Sequence, residues 1–244
     1  MSHLIEDEVF GLLVHDKWGD LVTLRKFAGL PEFARSEDEA FEEDVPLVDS
    51  WQRHIPILAP RAREFVLRGS LHRAGVFEVH VTTDGAKTPT AEQRAAFQTF
   101  VANEGQVCRN VVNAMLRFYG AIDRTIGFPK RVDVTIPVNP DVTALANVLQ
   151  FDCLTLPQTV VLGISPLVFN WRPAWDEEHG LKSLVYRGEV IAVGTDEVDE
   201  MECWPSDECF SLVWNREVMT PAEIAAYEAY RDNHPKTRGG GMLG

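Results

Sequence analysis

Residues 90–122 read TAEQRAAFQTFVANEGQVCRNVVNAMLRFYGAI, and this stretch decides the fold. Thr90 and Gln93 stand three apart at its start. That is the spacing of a capping box, in which a hydroxyl and a side-chain amide serve the exposed N–H groups of a first helical turn. Beyond them Phe97, Val101, Glu104, Cys108, Val111, Met115, Phe118 and Ile122 recur at alternating steps of four and three. Such steps place side chains on one stripe of a helix. The spacing predicts a helix from Ala91 to about Phe118, either continuous or broken near Gly105. An apolar stripe this long is a core face rather than a cofactor box. Glu104 is its one charged member. It lies at the stripe's edge, pairs with a base or marks a bend.

Towards the N-terminus the pattern is strand-like. Phe10–Val14 and Leu21–Phe27 flank a polar turn over 15–20, which suggests an opening antiparallel hairpin. In Val76–Thr82, Phe77, Val79 and Val81 share one face, and Glu78, His80 and Thr82 share the other. Glu64–Arg68 reads as a further strand. Residues 28–63 carry the acidic run 36–44 and the prolines Pro46, Pro56 and Pro60 with no sustained period, the mark of an insertion. Short helices near Glu39 or Trp51 would break up so long a loop.

After the helix, Arg131–Ile136, Leu156 with Thr159–Ile164, and Leu167–Trp171 read as strands, while Leu145–Phe151 is apolar and ambiguous. Ser183–Arg187 and Glu189–Gly194 surround Gly188, which favours a tight turn. Thr220-Pro221-Ala222-Glu223 is a second capping box, opening a short helix that ends near Asn233. The glycine-rich end, 239–244, is expected to be mobile. The expected class is α+β: a mainly antiparallel sheet packed against one long helix. Its α+β domain spans 1–198, with the insertion at 28–63, and a C-terminal extension follows over 199–244.

A chain of 244 residues buries enough surface to need no disulfide or metal for stability. Lys and Arg number 23 against 37 Asp and Glu, a formal net charge of −14. Such a surface repels phosphate backbones and steers basic partners towards it. Nucleic-acid binding is disfavoured, because it requires a clustered basic footprint. The first residues lack the basic and apolar regions of a signal peptide, and no run approaches the roughly 20 apolar residues of a membrane helix. A cytoplasmic location is the expectation.

Of the four cysteines, Cys108 and Cys153 sit in apolar stretches and read as small core residues. Cys203 and Cys209 are six apart around Trp204-Pro205-Ser206. They either pair, hold a soft metal or stay reduced, the last being the default in a cytosolic protein. No C-x-x-C signature, phosphate-binding glycine loop, dinucleotide fingerprint or nucleophile elbow is present, so no cofactor is expected.

Several landmarks then fall in a familiar order: the Phe10-Gly11 strand with Trp18-Gly19, the Thr90-x-x-Gln93 helix with Phe97 and Asn103, the apolar strand near Val160, and Trp175-Asp176-Glu177-Glu178-His179-Gly180-Leu181 before Val190–Gly194. This order resembles an uncharacterised bacterial domain family that carries a W-D-x-E-H-G-L-G-like segment before its final hairpin. Related small domains are suspected of being immunity proteins, which implies protein binding. The chain departs from the pattern in its 28–63 insertion, in its extension after Val198, and at Lys182, where glycine is usual.

The block supplies catalytic candidates in Asp176, Glu178 and His179, since a histidine beside a carboxylate can act as a general base. A metal there would need ligands from elsewhere, such as His80 or His15. The plainer reading is a turn: Trp175 anchors the core, Asp176 and His179 hydrogen-bond locally, and Gly180 supplies a permissive backbone position.

The acidic runs, 36–44 and 196–208, are either solvated surface or a patch for a basic partner. Glu42, Glu43, Asp44, Glu200 and Glu202 are the candidate contacts, with Trp51 and Trp204 as anchors. A protein-binding module of immunity or inhibitor type, with an acidic surface, is the leading expectation. A hydrolase or metal-dependent enzyme centred on Asp176, Glu178 and His179, and a structural subunit of an assembly, are the alternatives.

Overall fold

Among the described residues, nine strands form one sheet whose spatial order follows the chain. A computed structural model describes residues 4–16, 19–30, 33, 75–83, 85–125, 135–158, 165–175, 180–194, 211–214, 220–225 and 229, with the backbone alone for 123–125 and 211–214. The strands are β1 (Leu4–Asp7), β2 (Gly11–His15), β3 (Leu21–Lys26), β4 (Val76–Val81), β5 (Leu149–Leu156), β6 (Leu167–Pro173), β7 (Leu181–Tyr186), β8 (Glu189–Gly194) and β9 (Ser211–Trp214). Every neighbouring pair is antiparallel except β4 and β5. A parallel pair requires a long crossover. Here it carries α1 (Ala91–Thr125) and α2 (Val142–Ala146). The α+β class read from the sequence is therefore the fold: a mainly antiparallel sheet on one long helix.

The turn from β1 to β2 is built by Asp7, whose Oδ1 accepts the amides of Val9 at 2.9 Å and Phe10 at 3.1 Å. Its Oδ2 takes Nε of Arg94 from α1 at 2.9 Å. Burial pushes this carboxyl up, but the Arg94 guanidinium and the two amides outweigh it and hold it below its ordinary value. β3 and β4 pair from Leu21↔Val81 to Lys26↔Val76, and the amide of Phe27 then donates to Gly75 at 2.8 Å. The connection between them thus leaves and returns at one end of a single ladder. Its first residues belong to the core: Leu30 and Phe33 are buried. The expected strand at Glu64–Arg68 lies outside the described residues, as does most of 28–63.

Both capping boxes form. Thr90 Oγ1 accepts the Gln93 amide at 3.2 Å while Gln93 Oε1 accepts the Thr90 amide at 2.9 Å. Glu223 accepts the Thr220 amide at 2.8 Å in the same way, opening the helical residues 221–225. α1 runs seven residues past Phe118 and does bend, at Asn103 (φ −125°, ψ 17°). There Asn103 Nδ2 takes the Thr99 carbonyl at 2.9 Å, and Thr99 Oγ1 takes that of Ala95 at 2.8 Å. Side chains competing for the carbonyl ladder are a known cause of helix bending.

Phe97, Cys108, Val111, Met115 and Phe118 are buried as the stripe predicts. Val101 is not: it is 38% exposed, and Phe100 takes the core position beside it. Glu104 settles at the edge, where its Oε2 meets Arg25 Nη2 at 3.0 Å and its Oε1 accepts the Ala28 amide at 2.7 Å. Between the helix and the sheet, Phe100 of α1 joins Phe27, Phe77, Phe151, Phe169 and Trp171 in a contiguous aromatic cluster with centroid spacings of 4.8–5.9 Å. Each ring's deletion from such a core costs about 3–5 kcal/mol.

The β7–β8 turn places both Arg187 (φ 52°) and Gly188 (φ 83°) in the left-handed region, the requirement of a type I′ hairpin. Arg187 is held there by Glu223 at 2.8 Å and stacks over the Tyr186 ring at 5.0 Å. β5 replaces the ambiguous reading of Leu145–Phe151: α2 ends at Ala146 and the strand starts at Leu149. The expected strand at Thr159–Ile164, most of that at Arg131–Ile136, and the end of the second capped helix lie outside the described residues. β9, from the region after residue 198, completes the sheet beside β8. The sheet face away from α1 is also buried at Val14, Val22, Val168, Leu184 and Ala192. No helix among the described residues is long and apolar enough to cross a membrane.

Candidate functional site

Alternation along β4 sends Phe77, Val79 and Val81 into the α1 core and turns Glu78 and His80 to the opposite face. His80 pairs in register with Val22 of β3 and Thr155 of β5, so it stands near the middle of the first half of the sheet. Beside it the β2–β3 turn closes. The Asp16 amide donates to the Asp20 carbonyl, and the Asp20 amide donates to Asp16 Oδ1, both at 2.9 Å. Gly19 (φ 97°) permits this tight closure.

The imidazole lies between carboxylates from two directions. Its Nδ1 is 3.9 Å from Asp16 Oδ2, and its Nε2 is 3.5 Å from Glu78 Oε2. Asp16, Asp20 and His80 each offer a donor atom within 4.8 Å of the others. The Glu78 side chain is 6% exposed and that of His80 is 21%. The Nε2 atom is shut off from solvent and makes no hydrogen bond, the Glu78 carboxylate standing 3.5 Å away.

A polar row continues across the same face. Asn170 Nδ2 reaches Thr155 Oγ1 at 2.9 Å and Cys153 Sγ at 3.4 Å. Arg172 Nε comes within 3.1 Å of Asp152 Oδ1, close in distance but off line for a hydrogen bond. Polar side chains grouped on central strands are unusual, because such positions normally pack apolar residues. The arrangement offers an imidazole for proton transfer and a mixed nitrogen–oxygen donor set for a cation.

Cys108 and Cys153 are buried and form no disulfide. Burial, with Glu104 nearby, pushes the Cys108 thiol up to about 12, so it is inert. A cavity of about 190 Å³ lies between the first half of α1 and the β7–β8 turn, lined by Ala95, Thr99, Phe100, Leu167 and Val185. Its rim arginine, Arg187, is engaged by Glu223.

The site proposed from sequence falls differently. Asp176, Glu178 and His179 lie outside the described residues, as do Glu42, Glu43, Asp44, Trp51, Glu200, Glu202 and Trp204, and the pair Cys203 and Cys209. The ends of the block are described. Trp175 is buried, its ring edge-on to Tyr119 at 5.3 Å, and Gly180 has φ 65°. Both agree with the anchor and permissive-turn roles. Of the two outlying histidines, His80 joins a donor cluster, while His15 instead places Nδ1 3.1 Å from the Gly19 carbonyl. Sequence reasoning named neither Asp16 nor Asp20 as a site residue. Their signal was two carboxylates flanking a short turn.

The family described as "Domain of unknown function (DUF6985)" matches residues 70–201, more than half of the chain. No curated protein and no solved structure matches it.

Proposed function

The chain belongs to the DUF6985 family of domains of unknown function, and from that premise we propose that it is a binding protein of immunity or inhibitor type whose acidic surface recognises a basic protein. The observation that carries this reading is the charge of −14 set against four arginines that the fold pairs with its own carboxylates. Arg25, Arg94, Arg172 and Arg187 each stand within 3.1 Å of a carboxylate of the fold: Glu104, Asp7, Asp152 and Glu223 respectively. These four pairs are neutral. The whole surplus of negative charge therefore belongs to the remaining groups, among them the runs 36–44 and 196–208.

A surface of that sign accelerates encounter with a basic partner and rejects acidic ones. Glu42, Glu43, Asp44, Glu200 and Glu202 are the proposed charged contacts, with Trp51 and Trp204 as apolar anchors. Affinity capture from the protein's own source tests this, with elution by a rising salt gradient and mass spectrometry of the eluate. The reading expects one stoichiometric basic protein that leaves as salt rises. Capture of no partner, or of an acidic one insensitive to salt, removes the reading.

A further inference from the structure

We propose that Asp16, Asp20 and His80 form a binding site for a divalent transition-metal cation of the zinc type, with Glu78 orienting the histidine from behind. The proposal stands independently of the partner-binding reading. Its basis is the imidazole, which arrives from a different strand and separates this cluster from an ordinary acidic turn.

The three ligand atoms lie within 4.8 Å of one another. A tetrahedral zinc shell with bonds of about 2.0–2.2 Å spaces its donors by about 3.4 Å. Small side-chain rotations close that difference. The turn is already set for it: Asp16 Oδ1 is occupied by the Asp20 amide at 2.9 Å, and Oδ2 is the oxygen that faces His80 at 3.9 Å. One carboxylate oxygen thus anchors the side chain, and the other lies on the side of the imidazole.

His80 presents its two nitrogens to different tasks. Nε2 is enclosed, makes no hydrogen bond, and has the Glu78 carboxylate 3.5 Å away. A proton on Nε2 faces that carboxylate and leaves the Nδ1 lone pair towards Asp16 and Asp20. Metal-ligating histidines characteristically donate their other ring N–H to a carboxylate, which fixes the tautomer and raises the basicity of the ligand; Glu78, 3.5 Å away, is the carboxylate placed to take that role when a metal binds. Glu78 is buried to 5% exposure, so it is a fixed part of the strand rather than a mobile surface acid.

The donor set also indicates the class of ion. One imidazole with two carboxylates suits zinc and its first-row neighbours. Magnesium prefers several waters and near-ideal octahedral oxygen coordination. Three protein ligands leave a tetrahedral position open to water.

The test is calorimetric titration of zinc chloride into chelator-treated full-length protein. It uses a Cys203→Ser, Cys209→Ser background, so that those thiols do not compete. One saturable site is expected, with no comparable site for magnesium chloride. His80→Ala is expected to weaken zinc binding at least 100-fold. Glu78→Gln is expected to keep the one-to-one stoichiometry while weakening affinity about 10–100-fold, the usual effect of losing an orienting carboxylate. Should His80→Ala fail to fold by circular dichroism, Asp20→Asn takes its place with the same expectation. Absence of saturable zinc binding overturns the proposal. So does wild-type affinity in a folded His80→Ala or Asp20→Asn protein. Unchanged affinity in Glu78→Gln overturns the role given to Glu78.

Discussion

The side-chain amide of Gln93 donates to the carbonyl of Leu156 at 2.9 Å, fastening the first turn of α1 to the end of β5. The same Nε2 donates to Thr82 at 2.8 Å, while Oε1 caps the helix through the Thr90 amide. Gln93 is fully buried, and its carboxamide bridges the helix start to the parallel β4–β5 pair. Gln93→Ala should lower stability by about 1–3 kcal/mol, the cost of leaving buried partners under-satisfied. Gln93→Glu should be worse, because it turns a carboxylate towards two carbonyls. Urea unfolding of the two variants checks the order. An order in which Glu is the milder change contradicts the bridging role.

Asp7 gives a pH signature. Its carboxyl is held below its ordinary value of 3.8, so the stability it contributes is present above that value and is lost as pH falls through the folded-state pKa. Asp7→Asn should cost about 1–3 kcal/mol at neutral pH, since it removes a charged hydrogen-bond partner from the part-exposed Arg94. The difference from wild type should shrink steadily below pH about 4. Denaturant titrations at neutral and acid pH measure both.

Cys108 should resist modification. With its thiol at about 12 and its side chain buried, it should stay unlabelled by iodoacetamide at pH about 8 until the chain is denatured. Mapping the label by mass spectrometry decides this. Gly29 packs against the same residue: a Cβ there would lie 2.6 Å from that of Cys108. Gly29→Ala should therefore cost about 1–3 kcal/mol by overpacking, read from the urea midpoint.

Gly180→Ala tests the turn reading of the block at 175–181. At φ 65° an added Cβ is strained, so a loss of about 1–2 kcal/mol is expected, read from the thermal midpoint. An unchanged midpoint argues against a structural turn at this position.

Much of this was legible in the sequence because local signals matched the tertiary outcome. Both capping boxes, the β2–β3 hairpin, the alternation of β4 and the Gly188 turn are short-range patterns. β5 escaped because its register shifts between Phe151 and Cys153, so the two-residue alternation breaks in mid-strand. Val101 was misplaced because a stripe drawn at steps of four and three tolerates a neighbour, and tertiary contact selected Phe100. β1 is only four residues long and gave too little pattern to read. The donor cluster was half visible. His80 stood out as a histidine on the polar side of β4, but only the pairing of Val22 with His80 brings it to Asp16 and Asp20.

The central claim is electrostatic recognition, and the association rate tests it most directly. Stopped-flow measurement of the captured basic partner with wild-type protein, with Glu42→Gln, Glu43→Gln, Asp44→Asn, and with Glu200→Gln, Glu202→Gln should show slower association and a shallower salt dependence in at least one variant. Rates and salt slopes identical to wild type in both variants would contradict it.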